Sequence, residues 1–134
     1  MQLMQQKLQE VQNDNSKSYL LAVEYDHLYT LGTSADSSHL LNIGNIAHYV
    51  SERGGQVTYH GPGQRVIYPI IHLDKFDKDI RKYVAFLAEA VINTLALYGV
   101  QAKFCPKNIG VWVNIDNLDY KIASIGVRIK KWIT

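Results

Sequence analysis

A glycine-rich segment, residues 53–64, constrains the fold of this chain more than any other feature of its sequence. It reads Arg-Gly-Gly-Gln-Val-Thr-Tyr-His-Gly-Pro-Gly-Gln and holds four of the nine glycines within ten residues. Glycine permits a positive φ and lets the backbone approach a ligand closely. Successive free N–H groups in such a segment form a concave site for an oxyanion or a carbonyl oxygen. Arg53 adds a permanent charge with a forked donor, while Tyr59 and His60 add an aromatic wall and a titratable group.

The residues of this glycine segment leave two interpretations open. The β-prone run at residues 57–59, between a glycine pair and a Gly-Pro-Gly turn, is typical of a β-hairpin with glycines at its ends. The same arrangement also fits a ligand-binding loop. A nucleotide-binding loop is not indicated, because no glycine is followed by Lys-Ser or Lys-Thr and the pattern Gly-X-Gly-X-X-Gly is absent.

Composition predicts one globular domain spanning residues 1–134. The chain has 134 residues, of which 47% are apolar and 19% are charged, as in soluble domains. The net charge of +2 is too small to indicate nucleic acid or an anionic membrane as a partner. No apolar run reaches membrane-spanning length.

Cysteine usage and the N-terminus predict a cytoplasmic location. Cys105 is the single cysteine, which excludes an intramolecular disulfide and fits a reducing compartment. Residues 1–11 are rich in glutamine, contain no arginine, and have no apolar stretch of signal-peptide length. We expect no metal site, because four histidines lack the spacing of metal ligands. These are His27, His39, His48 and His72.

Hydrophobic periodicity predicts a mixture of helices and strands. A short amphipathic helix is expected over residues 1–12 and a longer one over residues 77–98, with Asp77 capping its start and Gly99 following its end. The apolar run at residues 19–23 indicates a strand buried on both faces. Further strands are predicted at residues 46–51, 65–71 (with Pro69 at an edge), 100–104, 110–113 and 121–129.

Lys121 stands at the head of the last predicted strand, on the same face as Ala123 and Ile125. A lysine that begins an apolar face is unusual. One interpretation is a lysine that packs its stem on the core and keeps its ammonium in water. The other is an ammonium held in a partly dry site, where burial lowers the pKa of lysine. The residues alone favour the first interpretation.

The glycine segment resembles the signature of the lipoyl(octanoyl) transferases, the octanoyl-[acyl-carrier-protein]:protein N-octanoyltransferases of lipoate biosynthesis. Other segments match in the same order, at residues 28–32, 110–113, 121–128 and 132–134. The resemblance implies an α/β fold of the α+β type. Its mixed, largely antiparallel central sheet with flanking helices would resemble the biotin and lipoate protein ligase catalytic domain.

The resemblance also implies the roles of individual residues. Lys121 would be catalytic, beside a cysteine whose thiolate it favours. Arg53 through His60 and Ser124 through Gly126 would form two walls of an acyl slot. No nucleotide or metal cofactor is implied, because the incoming acyl group is already activated. The implied substrate-binding residues are Arg53, Gly54, Gly55, Gln56, Val57, Thr58, Tyr59, His60, Ser124, Ile125 and Gly126.

Three positions depart from the pattern that the resemblance implies. The family places its nucleophile in a Pro-Cys-Gly segment well after the lysine motif, whereas Cys105 precedes Lys121 and is followed by proline. We therefore expect Cys105 to be a small buried hydrophobe, and the domain to be incomplete and inactive alone. Tyr25 stands where the family usually has histidine, and Arg65 stands where it usually has an aliphatic residue.

The implied partners are octanoyl-acyl carrier protein and the lipoyl domains of 2-oxoacid dehydrogenase complexes and of the glycine cleavage H protein. Two alternatives remain. The chain could be a non-catalytic module that binds acyl groups or carrier protein. It could instead be an ATP-dependent ligase of the related fold, although such ligases usually carry a third glycine before the β-prone run.

Overall fold

A computed structural model describes the backbone of residues 2–134 and all of their side chains except those of Gln2 and Lys75. The predicted N-terminal helix is confirmed, although its expected first residue lies outside the described part. The described helices and strands, in chain order, are α1 (Gln2–Asn13), β1 (Tyr19–Val23), β2 (Leu28–Leu31), β3 (Ala47–Val50), β4 (Val57–His60), β5 (Val66–Ile70), α2 (Ile80–Leu97), β6 (Lys103–Phe104), β7 (Val111–Ile115) and β8 (Leu118–Ala123).

Strand pairing is largely antiparallel, which confirms the predicted α+β class. Strand β1 pairs with β5, and β7 lies between β6 and β8, all antiparallel. Strand β2 is antiparallel to β4 and parallel to β3, so this sheet is mixed. Within the described residues, backbone hydrogen bonding divides the strands into three small sheets rather than one continuous sheet.

The chain divides into two compact units, of which the first holds residues up to 75 together with residues 126–134. Its core is formed by Val11 from α1, Ile70 from β5 and Ile133 near the C-terminus, all at most 3% exposed. Thr134 fastens the returning chain, since its hydroxyl donates to the Pro69 carbonyl at 2.8 Å. Residues distant in sequence therefore close this unit around β5.

The second compact unit holds residues 76–125, with α2 and the sheet β6–β7–β8. Helix α2 buries Tyr83, Val84 and Ala88, which recur at helical spacing, and β7 buries Val111 and Val113. No helix in the described part of the chain is long and apolar enough to cross a membrane.

The N-terminal cap of α2 differs from the sequence prediction. Asp79, not Asp77, caps the helix, because its carboxylate accepts the backbone N–H groups of Arg81 at 2.8 Å and Lys82 at 3.1 Å. Asp77 has a φ of 54° and therefore lies in the left-handed region before the helix. Gly99 has a φ of 74° after the last turn, as predicted.

Strand β1 is covered on one face only, so the prediction of burial on both faces is wrong. Its side chains alternate between half-buried and exposed, and Leu20 is 69% exposed. The cause is that β1 belongs to a two-stranded sheet in which both members are edges. Pro69 lies opposite Leu20 in β5, in agreement with the predicted edge position.

Two predicted strands are shorter in the structure. Strand β8 begins at Leu118 rather than at residue 121 and ends at Ala123 rather than at residue 129, and the backbone beyond it approaches the glycine segment. There Val127 accepts a hydrogen bond from the Gly54 N–H at 3.0 Å. The strand predicted at residues 100–104 is limited to Lys103–Phe104.

The hairpin interpretation of the glycine segment is wrong. Strand β4 pairs with β2, whereas β5, which follows it along the chain, pairs with β1. The turn at residues 61–63 therefore connects two different sheets of the first unit.

Candidate functional site

The glycine segment begins with a turn folded around the half-buried guanidinium of Arg53. Its Nη2 donates to the backbone carbonyls of Thr30 at 2.8 Å and Gln56 at 2.9 Å, and its Nη1 donates to the carbonyl of Gly54 at 3.1 Å. Burial lowers the pKa of Arg53 from its ordinary value. Three carbonyl oxygens are thus directed inward toward one cation, and the guanidinium is used within the protein rather than held free at the edge of the segment.

The backbone N–H groups of Gly55 and Gln56 are not used to hold this turn together. Both residues are exposed. Within residues 2–134, neither N–H has a protein acceptor. Gly55 has a φ of 94°, which favours glycine at this position. Two neighbouring free N–H groups beside an inward-facing cation form the kind of concave donor site that binds an oxyanion or a carbonyl oxygen.

Gly32, directly after β2, supports the turn from one side. A Cβ atom at Gly32 would lie 2.2 Å from the Gly55 carbonyl oxygen and 2.9 Å from Arg53 Nη1. These distances leave no room for a side chain. The backbone of Gly32 therefore packs directly against the carbonyl of Gly55, and only glycine allows this contact.

The segment 126–127 supports the turn from another side. The Gly54 N–H donates to the Val127 carbonyl at 3.0 Å, and a Cβ atom at Gly126 would lie 3.0 Å from the Gly54 carbonyl oxygen. An ion pair between Arg128 and Glu52 lies beside these contacts. Gly126 thus contacts the glycine segment directly, and at Gly54 no open groove separates the two.

His60 ends β4 and is 9% exposed. Its Nδ1 lies 2.8 Å from Gln64 Oε1, and its Nε2 lies 3.0 Å from Thr30 Oγ1. Burial lowers the pKa of His60, and the Arg53 charge adds to the lowering. Both ring nitrogens are engaged, so His60 belongs to the wall of the site rather than to its exposed surface.

Tyr25 packs on the other side of His60. The two rings meet edge to face with centroids 5.8 Å apart, and the Tyr25 hydroxyl lies 3.0 Å from that of Tyr68. Burial and this hydrogen bond raise the pKa of Tyr68 above its ordinary value. Tyr25, which departs from the family pattern, is thus part of the packing around His60. Arg65, which also departs from that pattern, is exposed.

The Gly-Pro-Gly turn after β4 is held by two side chains. Tyr59 lies over Gly61, where a Cβ atom would be 2.3 Å from the Tyr59 hydroxyl, and that hydroxyl lies 2.5 Å from His27 Nδ1. Glu24 accepts the backbone N–H of Gly63 at 3.0 Å. This turn therefore has a defined position beside β4.

Lys121 lies on β8 in the second unit. Its Nζ donates to Asn108 Oδ1 at 3.0 Å and to the Ile109 carbonyl at 3.1 Å, and it lies 4.8 Å from the centroid of the Trp112 ring. A Cβ atom at Gly110 would lie 3.0 Å from Lys121 Cε, so the lysine stem packs on the backbone there. Lys121 is exposed, as in the interpretation in which the lysine packs its stem on the protein and keeps its ammonium in water.

The predicted site residues fall into two groups. Residues 53–60 and Gly126 come together in the first unit. Lys121, Ser124 and Ile125 belong to the second unit, where the last two follow the end of β8.

Cys105 also lies in the second unit and is half-buried rather than fully buried. It lines a cavity of about 350 Å³ together with Phe104, Pro106 and Trp112. Its N–H donates to the Gly110 carbonyl at 3.2 Å. Among the described residues, no group of three or more His, Cys, Asp or Glu side chains could hold a metal ion.

Thr30 is the residue of this site that the sequence interpretation missed. In the sequence it is only one residue of the matching segment at residues 28–32. Its importance arises from the register of β2 with β4, which places it beside His60, and from the reach of Arg53. No local sequence pattern reports either contact.

The mixed α+β fold agrees with a comparison of the whole chain. Residues 1–134 match the lipoyl protein ligase A/B catalytic domain. The chain belongs to this family. That finding confirms the resemblance inferred from the glycine segment.

Similar proteins are named octanoyltransferases. The chain is 41% identical over 137 residues to the octanoyltransferase of Rickettsia rickettsii (strain Sheila Smith), which covers 100% of this chain and 66% of the relative. It is 44% identical over 126 residues to that of Christiangramia forsetii, which covers 89% of this chain and 54% of the relative. The chain therefore spans 66% or less of the length of these relatives.

Proposed function

We propose that this chain serves the transfer of an octanoyl group from acyl carrier protein to the lysine of a lipoyl domain, in lipoate biosynthesis. Family membership and the named octanoyltransferase relatives support the proposal. The observation that carries it is that the backbone N–H groups of Gly55 and Gln56, two exposed residues, have no acceptor among the described residues. The ATP-dependent ligase receives no comparable support, because the similar proteins are named octanoyltransferases.

In this proposal the glycine segment binds the thioester carbonyl. Negative charge develops on that oxygen when a nucleophile attacks, and fixed backbone donors stabilise it. Gly55 and Gln56 would supply the donors, while Arg53 holds the turn by binding its carbonyls. Residues Val57 to His60 and Gly126, which belong to the same unit as these donors, would contribute the remaining wall of the acyl site. For Ser124 and Ile125, a role in substrate binding is proposed from the resemblance alone.

Lys121 has the proposed catalytic role. An adjacent cation stabilises a thiolate and so lowers the pKa of a cysteine thiol. The contacts of Lys121 to Asn108 and the Ile109 carbonyl give its ammonium a defined position for this purpose. A cysteine thiolate other than that of Cys105 would attack the octanoyl thioester and release the thiol of the carrier protein. The lysine amine of a lipoyl domain would then attack the octanoyl-enzyme, form the amide and release the cysteine thiol.

Cys105 is not the proposed nucleophile. It precedes Lys121, and Pro106 fixes the backbone beside it. It is the only cysteine in the 134 residues. We therefore propose that these 134 residues, tested alone, form no octanoyl-enzyme.

Mass spectrometry of the intact protein after incubation with octanoyl-acyl carrier protein tests this. We expect no octanoyl adduct on the 134-residue chain. We expect an adduct when the part of the Rickettsia rickettsii octanoyltransferase that this chain does not cover is added in one polypeptide. Cys105→Ser in that fusion should leave acylation nearly unchanged. An adduct on Cys105 of the 134-residue chain, followed by transfer to a lipoyl domain, would make Cys105 the nucleophile and overturn this assignment.

The proposed partners are octanoyl-acyl carrier protein and the lipoyl domains of 2-oxoacid dehydrogenase complexes and of the glycine cleavage H protein. The proposed location is the cytoplasm. The proposed reaction uses no nucleotide, because the thioester already activates the octanoyl group.

A further inference from the structure

We propose that Thr30 is a positioning residue of the glycine segment. Its hydroxyl, held by Arg53, donates to His60 Nε2 and, together with Gln64 as the acceptor of the proton on Nδ1, keeps His60 neutral. The structural part of this proposal stands on the contacts of Thr30, and its consequence for acyl binding rests on the proposed function.

The donors and acceptors around the Thr30 hydroxyl determine which atom donates in its hydrogen bond with His60. A hydroxyl offers one proton and two lone pairs. Arg53 approaches Thr30 Oγ1 with Nη2 at 2.8 Å and Nε at 3.3 Å, and a guanidinium only donates. Nη2 has two protons for three acceptors, which are Thr30 Oγ1 and the carbonyls of Thr30 and Gln56, so one of its hydrogen bonds is shared. On its Arg53 side the Thr30 hydroxyl nevertheless meets only N–H donors, to which it accepts. The remaining hydroxyl proton has His60 Nε2 at 3.0 Å as its acceptor.

The contacts on the opposite side of the His60 ring independently place its proton on Nδ1. Gln64 Nε2 donates to the Tyr59 carbonyl at 3.2 Å, which orients the amide so that Oε1 faces His60. Oε1 lies 2.8 Å from His60 Nδ1 and can only accept. The proton must therefore be on Nδ1, and Nε2 keeps the lone pair that the Thr30 hydroxyl needs.

The surroundings of His60 oppose a second proton. The Arg53 cation lies behind Thr30, and the Tyr25 ring, whose hydroxyl pairs with that of Tyr68, covers another side. A proton on Nε2 would compete with the Arg53 N–H groups for the lone pairs of the Thr30 hydroxyl. Burial and the Arg53 charge lower the pKa of His60, in agreement with this arrangement. His60 is therefore a fixed neutral link and not a general base.

The hydrogen bonds that join Arg53, Thr30, His60 and Gln64 connect three parts of the first unit. Thr30 lies in β2, Arg53 begins the glycine segment, and His60 with Gln64 belongs to β4 and the turn after it. Replacement of Thr30 by valine would keep the side-chain shape but leave the Arg53 donors and His60 Nε2 without the hydroxyl. Replacement by serine would keep the hydroxyl. The two variants separate the hydrogen bond from packing.

Imidazole nitrogen NMR on the 134-residue chain tests the tautomer. At pH 7.5 we expect wild type and Thr30→Ser to show His60 with its proton on Nδ1. Thr30→Val should keep the proton on Nδ1, because Gln64 Oε1 still accepts it, but should move the His60 pKa closer to its ordinary value, because the neutral Nε2 loses its donor. Thr33→Val is the matched control, because Thr33 is exposed just after β2 and its hydroxyl makes no hydrogen bond among the described residues. It should match wild type.

Binding of S-octanoyl-pantetheine, followed by the amide signals of Gly55 and Gln56, tests the consequence for the site. Thr30→Val should weaken binding on the order of tenfold, because a displaced donor loses alignment. Thr30→Ser should retain it.

A wild-type His60 protonated on Nε2, or a folded Thr30→Val in which His60 titrates as in wild type, would overturn the proposal. The wild-type spectrum decides even where the valine variant does not fold. Absence of any binding to wild type, together with the expected tautomer, would support the role of Thr30 and contradict the proposed function instead.

Discussion

The glycine segment and the surroundings of Lys121 are held in place by different means. The guanidinium of Arg53 is half-buried and donates only to groups of its own unit, and His60 is 9% exposed with both nitrogens engaged. Lys121 is exposed and is positioned by an amide oxygen, a carbonyl and the face of an aromatic ring. The first region is part of what makes its unit fold, whereas the second is a surface arrangement. Substitutions should therefore affect stability in the first region and chemistry in the second.

The largest expected effect is that of Gly32→Ala. The added methyl would lie 2.2 Å from the Gly55 carbonyl oxygen, and backbone atoms have to move to admit it. We expect a loss of about 3 kcal/mol in the free energy of unfolding, at the upper end for overpacked sites. Urea denaturation followed by circular dichroism measures it.

Two other glycines of the same region provide a graded control. A Cβ atom at Gly126 would lie 3.0 Å from the Gly54 carbonyl oxygen, and one at Gly54 would lie 3.6 Å from the Val127 carbonyl oxygen, an ordinary contact. The order of destabilisation should be Gly32→Ala, then Gly126→Ala, then Gly54→Ala. Equal effects of all three would mean that the close approach of Gly32 and Gly55 is not what shapes the turn.

Arg53→Lys should have the next largest effect. Lysine keeps the charge but has one donor group, and it cannot reach the carbonyls of Thr30, Gly54 and Gln56 together. We expect a loss of about 2 kcal/mol, as for hydrogen bonds to a charged group. Arg65→Lys, at an exposed position, is the control and should stay within about 0.5 kcal/mol of wild type. An Arg53→Lys protein as stable as the control would show that the inward guanidinium does not hold the turn.

Stability should fall in acid because of His60. Its pKa is lowered in the folded state from the ordinary value of 6.5, so the unfolded chain binds the proton more readily. The contribution is complete above about pH 6.5 and is lost as the pH falls through the lower folded-state pKa. Urea midpoints at pH 7.5 and 5.5 should differ less in His60→Gln than in wild type, while His48→Gln, at an exposed position, should keep the wild-type difference. Identical pH dependence in all three proteins would contradict the burial of a neutral His60.

Sequence periodicity predicted the elements that depend on local pattern. Helix α2 and its closing glycine followed from apolar spacing, and the fold class followed from the resemblance. Its cap was misplaced by two residues, because Asp77 and Asp79 are equally good caps and only the backbone φ of Asp77 distinguishes them. Strand β8 was extended too far, because the contact of Gly126 with Gly54 joins positions that are remote in sequence.

The candidate site likewise has parts that local sequence motifs reveal and contacts that depend on strand pairing. The sequence identified the glycine segment and Lys121, since both belong to matching motifs. It did not reveal that Arg53 turns inward or that Thr30 connects it to His60. Those contacts depend on which strand pairs with β4, and the sequence interpretation left open a hairpin with β5 that does not form.

The smallest effect on stability should come from Lys121→Met, which keeps much of the stem that packs on Gly110 and removes the ammonium. The lost contacts are exposed, so the unfolding midpoint should change by less than about 3 °C. In the fusion with the additional part of the Rickettsia rickettsii enzyme, the same change should strongly reduce formation of the octanoyl-enzyme, because the cation that favours the thiolate is gone. The reduction should lessen as the pH rises, since a thiol of ordinary pKa then ionises without help. Lys103→Met is the matched control, because Lys103 is an exposed lysine of the same sheet paired with Asp119. A loss of acylation that is equal in both variants, or that does not lessen at high pH, would remove Lys121 from the chemistry and leave it a surface lysine.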